Sequence, residues 1–178
     1  KINPSSALKF VILNSILFII TTFLINQLCF ILSPIALIII LGYSYTKRFT
    51  FLCHFVLGIG LSLSPIGAYL AVTETFDILP IYFSMIVLFW VAGFDIIYSL
   101  QDEKFDNENN LNSIPVYLGK KNALLLSRFL HFISFLILIF IGTIYDFGDY
   151  YFIGGAIFSF LLIYQHTLIK HDDLKKVN

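Results

Sequence analysis

Residues 81–106 read "IYFSMIVLFWVAGFDIIYSLQDEKFD". From Ile81 to Phe94 no side chain is charged, and then Asp95, Asp102, Glu103 and Asp106 follow in quick succession. A membrane-spanning helix needs about 20 mostly apolar residues, and Leu79–Leu100 supplies them. The stretch is therefore read as a spanning helix whose last turns carry carboxylates out of the lipid, and the rest of the chain follows the same reading.

Of the 178 residues, 58% are hydrophobic and only 12% are charged. A soluble domain keeps about a quarter of its residues charged. With a mean hydropathy of +0.89, the excess apolar surface calls for lipid as its solvent. Five more segments match the length rule: Ala7–Gln27, Leu28–Tyr45, Phe51–Thr73, Asn122–Ile144 and Tyr150–Ile169. The expected architecture is an all-α polytopic membrane helix bundle of six spans, forming one membrane domain over residues 1–178. A formal net charge of zero leaves no global field to attract nucleic acid.

The basic residues test this count. Lys1 and Lys9 precede or open the first span, and Lys47 and Arg48 lie between the second and third. Lys104, Lys120, Lys121 and Arg128 lie between the fourth and fifth or just inside the fifth, and Lys170, Lys175 and Lys176 follow the sixth. Six alternating spans put all eleven Lys and Arg residues on one side, and the side rich in Lys and Arg is the cytoplasmic one. Both ends of the chain and the polar loop Gln101–Lys121 are then expected in the cytoplasm. Cys29 and Cys53 fall in or beside apolar segments and read as small buried hydrophobes. The chain begins with Lys1 and is expected to be part of a longer protein.

On a continuous helix, Asp95, Tyr98, Asp102 and Asp106 fall along one stripe, with Glu103 off it. Asp95 lies inside the apolar segment, and an intramembrane acid points to a function by default. Carboxylates without Cys or His alongside suit Mg²⁺ or Ca²⁺, and Mg²⁺ prefers one or two carboxylates together with phosphate oxygens. Upstream, "GYSYTKRFT" (residues 42–50) puts Tyr43 and Lys47 on one helical face, with Arg48 adding a fork suited to phosphate. Acids holding Mg²⁺ opposite Lys47 and Arg48 would neutralise a leaving diphosphate from two directions.

Together, "YSYTKRFT", "HFVLGIGLSLSPIGAYLAV", "FDIIYSLQDEKFD" and "LNSIPVYLGKKNAL" resemble the UbiA superfamily of membrane prenyltransferases, and most closely its 4-hydroxybenzoate polyprenyltransferases. The resemblance implies a nine-helix fold, of which this chain would be helices three to eight. It implies transfer of a polyprenyl group from an isoprenoid diphosphate to an aromatic acid such as 4-hydroxybenzoate, with Mg²⁺, in ubiquinone- or menaquinone-type biosynthesis. It makes Asp102 and Asp106 metal-binding acids. It places Asp95 and Tyr98 in the cavity, Tyr43 and Lys47 near the diphosphate, and Arg48 on the diphosphate or the acceptor's carboxylate. The protein would sit in a bacterial inner membrane with its site facing the cytoplasm. A first acidic motif of the form N-x-x-x-D-x-x-x-D does not occur in the sequence, so these residues alone are expected to be inactive. Three readings compete: a related enzyme using a naphthoate or haem acceptor, a transporter whose acids bind a cation, and a non-catalytic membrane scaffold. A transporter would carry acids or broken helices near the midplane of several spans, whereas here the basic residues and the acidic stripe gather on the cytoplasmic side.

His54 and His131 read as buried, hydrogen-bonded histidines. Gly58, Gly60, Ser62, Ser64 and Gly67 read as a small-residue face for close helix packing.

Overall fold

The computed structural model describes residues 3–169, and those residues form seven helices and no strand. Lys1, Lys170, Lys175 and Lys176, counted above as basic flanks, lie outside the described residues. The helices are α1 (Pro4–Ile25), α2 (Gln27–Thr46), α3 (Cys53–Thr73), α4 (Ile78–Ser99), α5 (Glu103–Glu108), α6 (Ile114–Ile144) and α7 (Asp149–Leu168). Six of them, all but α5, are long and apolar enough to cross a membrane. Their bounds fall close to the expected spans, except that α6 begins well before Asn122. Its first turns run over "SIPVYL", expected as loop, with Pro115 in the first turn, where its missing N–H costs nothing. Gly119, at φ 75° and ψ 158°, then breaks the helix and redirects it, a conformation open to glycine because it has no Cβ.

Short polar residues cut the apolar run into spans. Asn26 alone separates α1 from α2. Extended at φ −165°, it caps α2 by accepting the Cys29 N–H at 2.8 Å. Its side-chain amide donates to the Leu70 carbonyl at 2.8 Å, holding this turn against the end of α3. Asp77 caps α4 through the Leu79 N–H at 2.9 Å. The Phe83 and Phe147 rings, 6.4 Å apart, bring the α6–α7 turn to the same end. At the other end Asn112 donates its N–H to the Lys47 carbonyl at 2.7 Å, joining the α2–α3 and α4–α6 connections. The basic residues between spans therefore share one end of the bundle.

The dry core lies where α3, α4 and α6 meet, around Ala92, Ile96, Ile97, Leu100, Ala123 and Leu124. α6 lies on α4 along a polar seam. Ser127 donates to the Gly93 carbonyl at 2.7 Å, His131 Nε2 to Trp90 at 3.1 Å, and Ser134 to Ile86 at 3.1 Å. His131 Nδ1 meets His166 Nε2 at 2.8 Å and so brings in α7. Such bonds hold helices together where lipid removes the hydrophobic drive between them, typically for about 0.6 to 2 kcal/mol each. The expectation of a buried, bonded His131 agrees with this seam. By contrast α1 and α2 bury only Thr22 and Ser33 and turn large side chains such as Phe10, Leu24, Ile31 and Ile38 outward. That surface is stable only in lipid.

The glycine face of α3 divides. A Cβ at Gly58 would meet the Leu88 carbonyl oxygen of α4 at 2.7 Å, whereas Gly67 has open space around it. Gly60, Ser64 and Gly67 instead line an apolar cavity of ≈ 700 Å³ between α1, α2 and α3. Close packing was thus the right reading for Gly58 and not for the whole face. Gly58→Ala is expected to destabilise the protein by about 1–3 kcal/mol, the usual range for overpacking, because the blocking atom is backbone. Gly154→Ala, with no atom near its new methyl group, should not destabilise. Thermal unfolding of the two variants in detergent checks the contrast.

Candidate active site

Where α2 ends, Arg48, Phe49 and Thr50 donate their backbone N–H groups to the carbonyls of Tyr45 and Thr46 at 2.9–3.1 Å. These bonds satisfy part of the open helix terminus. Lys47 is the C-cap residue, where the helix dipole favours a cation. Its Nζ lies 2.8 Å from Asp106 Oδ2. The Asp106 side chain is 1% exposed and that of Lys47 28%. Asp106 Oδ1 is buried without a hydrogen-bond partner.

The segment that carries Asp106 inward is built from the Asn-rich loop. Asn110 takes φ 53°, a left-handed conformation that asparagine tolerates, and Leu111 donates its N–H to the Asp106 carbonyl at 2.8 Å. This closes α5 and leads the chain to Asn112, which is bonded to Lys47 as described above. A stretch that reads as solvated loop is thus folded, and Lys47 holds it through both its ammonium and its carbonyl.

The acids do not form a single row. α4 ends at Ser99, and Leu100, Gln101 and Asp102 donate their N–H groups to residues three back, at 3.1–3.4 Å. This tighter winding advances each residue by about 120° instead of 100°, and α5 starts afresh at Glu103. Asp95, Tyr98 and Asp102 line one cleft, together with Tyr43 and Lys47 from α2 and the α2–α3 turn and with His54 from α3, enclosing ≈ 180 Å³. Asp106 lies behind Lys47 and is not part of the cleft lining. Glu103, off the stripe as expected, pairs with Lys120 at 3.1 Å. Arg48 is also outside the lining. It lies in the turn past the end of α2, and its guanidinium sits 5.7 Å from the Tyr45 ring centroid.

Asp95 is met by a partner that the sequence pattern did not assign. His54, 1% exposed, places Nδ1 2.6 Å from Asp95 Oδ2, and its Nε2 accepts the Ile114 N–H at 3.2 Å. The expectation of a buried, bonded histidine agrees with this. One signal pointed to the pairing: Asp95 and His54 are both polar residues inside spans, and ionisable groups in membranes pair with one another. Cys53, beside His54, is a free thiol, as is Cys29.

A magnesium ion prefers few protein carboxylates and several water or phosphate oxygens. Asp102 presents such a carboxylate to the cleft, and the orphaned Asp106 Oδ1 is a second oxygen suited to a cation. Among the described residues no three His, Cys, Asp or Glu side chains form a metal cage. With Asp102 in the cleft and Asp106 outside its lining, the donor set is a partial one, of the kind Mg²⁺ completes with oxygens from outside the protein and not a closed structural cage.

The sequence model of the UbiA prenyltransferase family matches residues 1–178. A 4-hydroxybenzoate octaprenyltransferase from Vesicomyosocius okutanii subsp. Calyptogena okutanii (strain HA) is 30% identical over 173 residues, covering 97% of this chain and 63% of that protein. One of the same name from Francisella tularensis subsp. novicida (strain U112) is 29% identical over 158 residues, covering 89% and 55%. The solved apo structure of a UbiA homolog from Aeropyrum pernix K1 superposes with a TM-score of 0.88 at 30% identity, covering 94% of this chain and 64% of that one. The chain therefore spans 63% or less of the length of these two curated relatives. With six apolar spans and a family match running from its first residue to its last, this chain is an integral, multi-pass membrane protein belonging to the UbiA prenyltransferase family.

Proposed function

We propose that the protein moves a polyprenyl group from an isoprenoid diphosphate to an aromatic acid such as 4-hydroxybenzoate, in a quinone-forming pathway. The observation that carries this reading is the meeting of Lys47 and Asp102 in one cleft at the basic end of the bundle. There a cation and a metal-suited acid can flank a diphosphate. The names of the relatives agree with this choice of substrates. In this reading the cleft faces the cytoplasm from a bacterial inner membrane, and the gathering of Lys and Arg at its end of the bundle supports that orientation. The placing of the charged groups near the ends of the helices, away from the midplane, supports the enzyme over a cation transporter.

In this reading Lys47 holds the diphosphate by charge, and Tyr43, one helical turn earlier on the same face, supplies a hydroxyl hydrogen bond. Asp102, with Asp106 behind it, would hold Mg²⁺, whose chemistry is to neutralise charge gathering on the departing diphosphate. The allylic C–O bond breaks, its electron pair leaving with the diphosphate, and the acceptor's ring carbon forms the new C–C bond. The ring proton then leaves to a base, and Asp95 is the carboxylate lining the cleft for that transfer. Tyr98 shapes the cleft beside Asp95. Surrounding lipid would keep water from the electrophilic carbon. Arg48, turned onto Tyr45, would act at the rim and meet the diphosphate or the acceptor's carboxylate on entry.

Residues 1–178 correspond in this reading to family helices three to eight. They contain no N-x-x-x-D-x-x-x-D motif, so this piece alone should insert into membranes without turning over. The test uses membranes carrying the full-length protein, labelled polyprenyl diphosphate and 4-hydroxybenzoate. Labelled prenyl-hydroxybenzoate should form with Mg²⁺ and stop with EDTA. Naphthoate or haem prenylated in its place would reassign the acceptor, and no transfer to any of the three would overturn the reading.

A further inference from the structure

We infer that His54 is a positioning residue that fixes the Asp95 carboxylate for the acceptor's proton while capping the start of α6; this rests on the prenyl-transfer reading. The tautomer follows from the hydrogen bonds. The Ile114 N–H can only donate, and it points to His54 Nε2 at 3.2 Å, so that nitrogen carries the lone pair. The proton of the neutral ring is then on Nδ1, which donates to Asp95 Oδ2 at 2.6 Å. A ring 1% exposed has no water to replace either bond.

Both bonds answer a local need. The first N–H groups of a helix have no partner within it. Ser113, the N-cap of α6, makes no side-chain cap bond, and His54 supplies an acceptor from α3 in its place. Asp95 for its part lies within a spanning helix, where a carboxylate needs a donor. With Oδ2 tied to His54, the other oxygen of the partly exposed carboxylate is left for the cleft. The groups facing Asp95 are His54 and Cys53 from α3, Tyr43 and Lys47 from α2 and its cap, and Tyr98 and Asp102 from α4 and the turn after it. From α6 the approach is through the Ile114 backbone by way of His54. The histidine thus joins the proposed base to the far end of the loop that carries Asp102 and Asp106.

Glutamine reproduces both bonds, since its carbonyl accepts and its amide donates. His54→Gln in the full-length protein is expected to keep kcat near the wild-type value. His54→Leu removes both bonds. It is expected to lower kcat about 100-fold, the usual effect of a misplaced reacting group, with KM for the prenyl diphosphate unchanged. A purely structural role would lower activity whichever residue replaced His54, whereas a positioning role predicts a fall in kcat alone that His54→Gln restores. If His54→Leu fails to insert, His54→Asn, polar but too short to reach both partners, is expected to show the same loss of kcat with KM unchanged. Hydrogen exchange at the Ile114 amide should quicken in the Leu or Asn variant only. If wild-type membranes show no transfer, the enzymatic reading fails, while amide exchange still reports on the cap. The inference is overturned if His54→Gln is as impaired as His54→Leu, if His54→Leu raises KM and leaves kcat unchanged, or if Ile114 exchange is unchanged.

Discussion

Asp102→Asn should lower prenyl transfer by about 100- to 1,000-fold, the range for removing one preorganised electrostatic contact to a developing charge. The substitution keeps the side chain's shape and removes its charge. Asp102 is the N-cap of α5 but makes no side-chain cap bond there, so no structural hydrogen bond is lost with the carboxylate. It is also exposed, and exposed substitutions of this kind stay within about ±0.5 kcal/mol. Membrane insertion and thermal stability should therefore match the wild type while turnover collapses. The measurement is transfer of labelled polyprenyl diphosphate in membranes, beside thermal unfolding of the purified variant. Full turnover in Asp102→Asn would remove this carboxylate from the chemistry.

Lys47→Met should have the opposite profile, with stability falling together with activity. Asp106 is 1% exposed, and its one charged partner among the described residues is Lys47 at 2.8 Å. Removing one member of a buried pair costs about 3–5 kcal/mol, because the remaining charge is stranded. The partial exposure of Lys47 places the expected loss at the lower end of that range. Lys47→Met/Asp106→Leu removes both charges and should recover most of the stability without restoring transfer. Scanning fluorimetry in detergent reads the first effect and the transfer assay the second. A Lys47→Met variant as stable as the wild type would show that the pair does not hold the loop.

What the sequence made legible follows from the physics of each element. Lipid demands long apolar runs, and the positions of Lys and Arg mark which turns share an end, so the six spans could be read to within a few residues, except for the start of α6. Tyr43, Lys47, Asp95, Tyr98 and Asp102 were readable as a cluster because two short segments of suitable chemistry lay at the same end. Asp106 was drawn onto the same stripe because a continuous helix was assumed. No proline or glycine marks the tighter turn at residues 100–102, which is set by tertiary contacts: Leu100 is fully buried in the core, and Asp106 turns to Lys47. The His54–Asp95 bond joins residues 41 apart, and helical periodicity carries no information over that distance. Arg48 was placed with Lys47 by adjacency, yet it lies in the turn past the end of α2, where its guanidinium turns to Tyr45.

Lys47 grips the loop twice, with its ammonium on Asp106 and its backbone carbonyl on the Asn112 N–H. Loss of the lysine's charge breaks the first grip only, because a peptide carbonyl is present whatever side chain stands at residue 47. Lys47→Met should therefore strand Asp106 while the main-chain latch to Asn112 stays available to the loop.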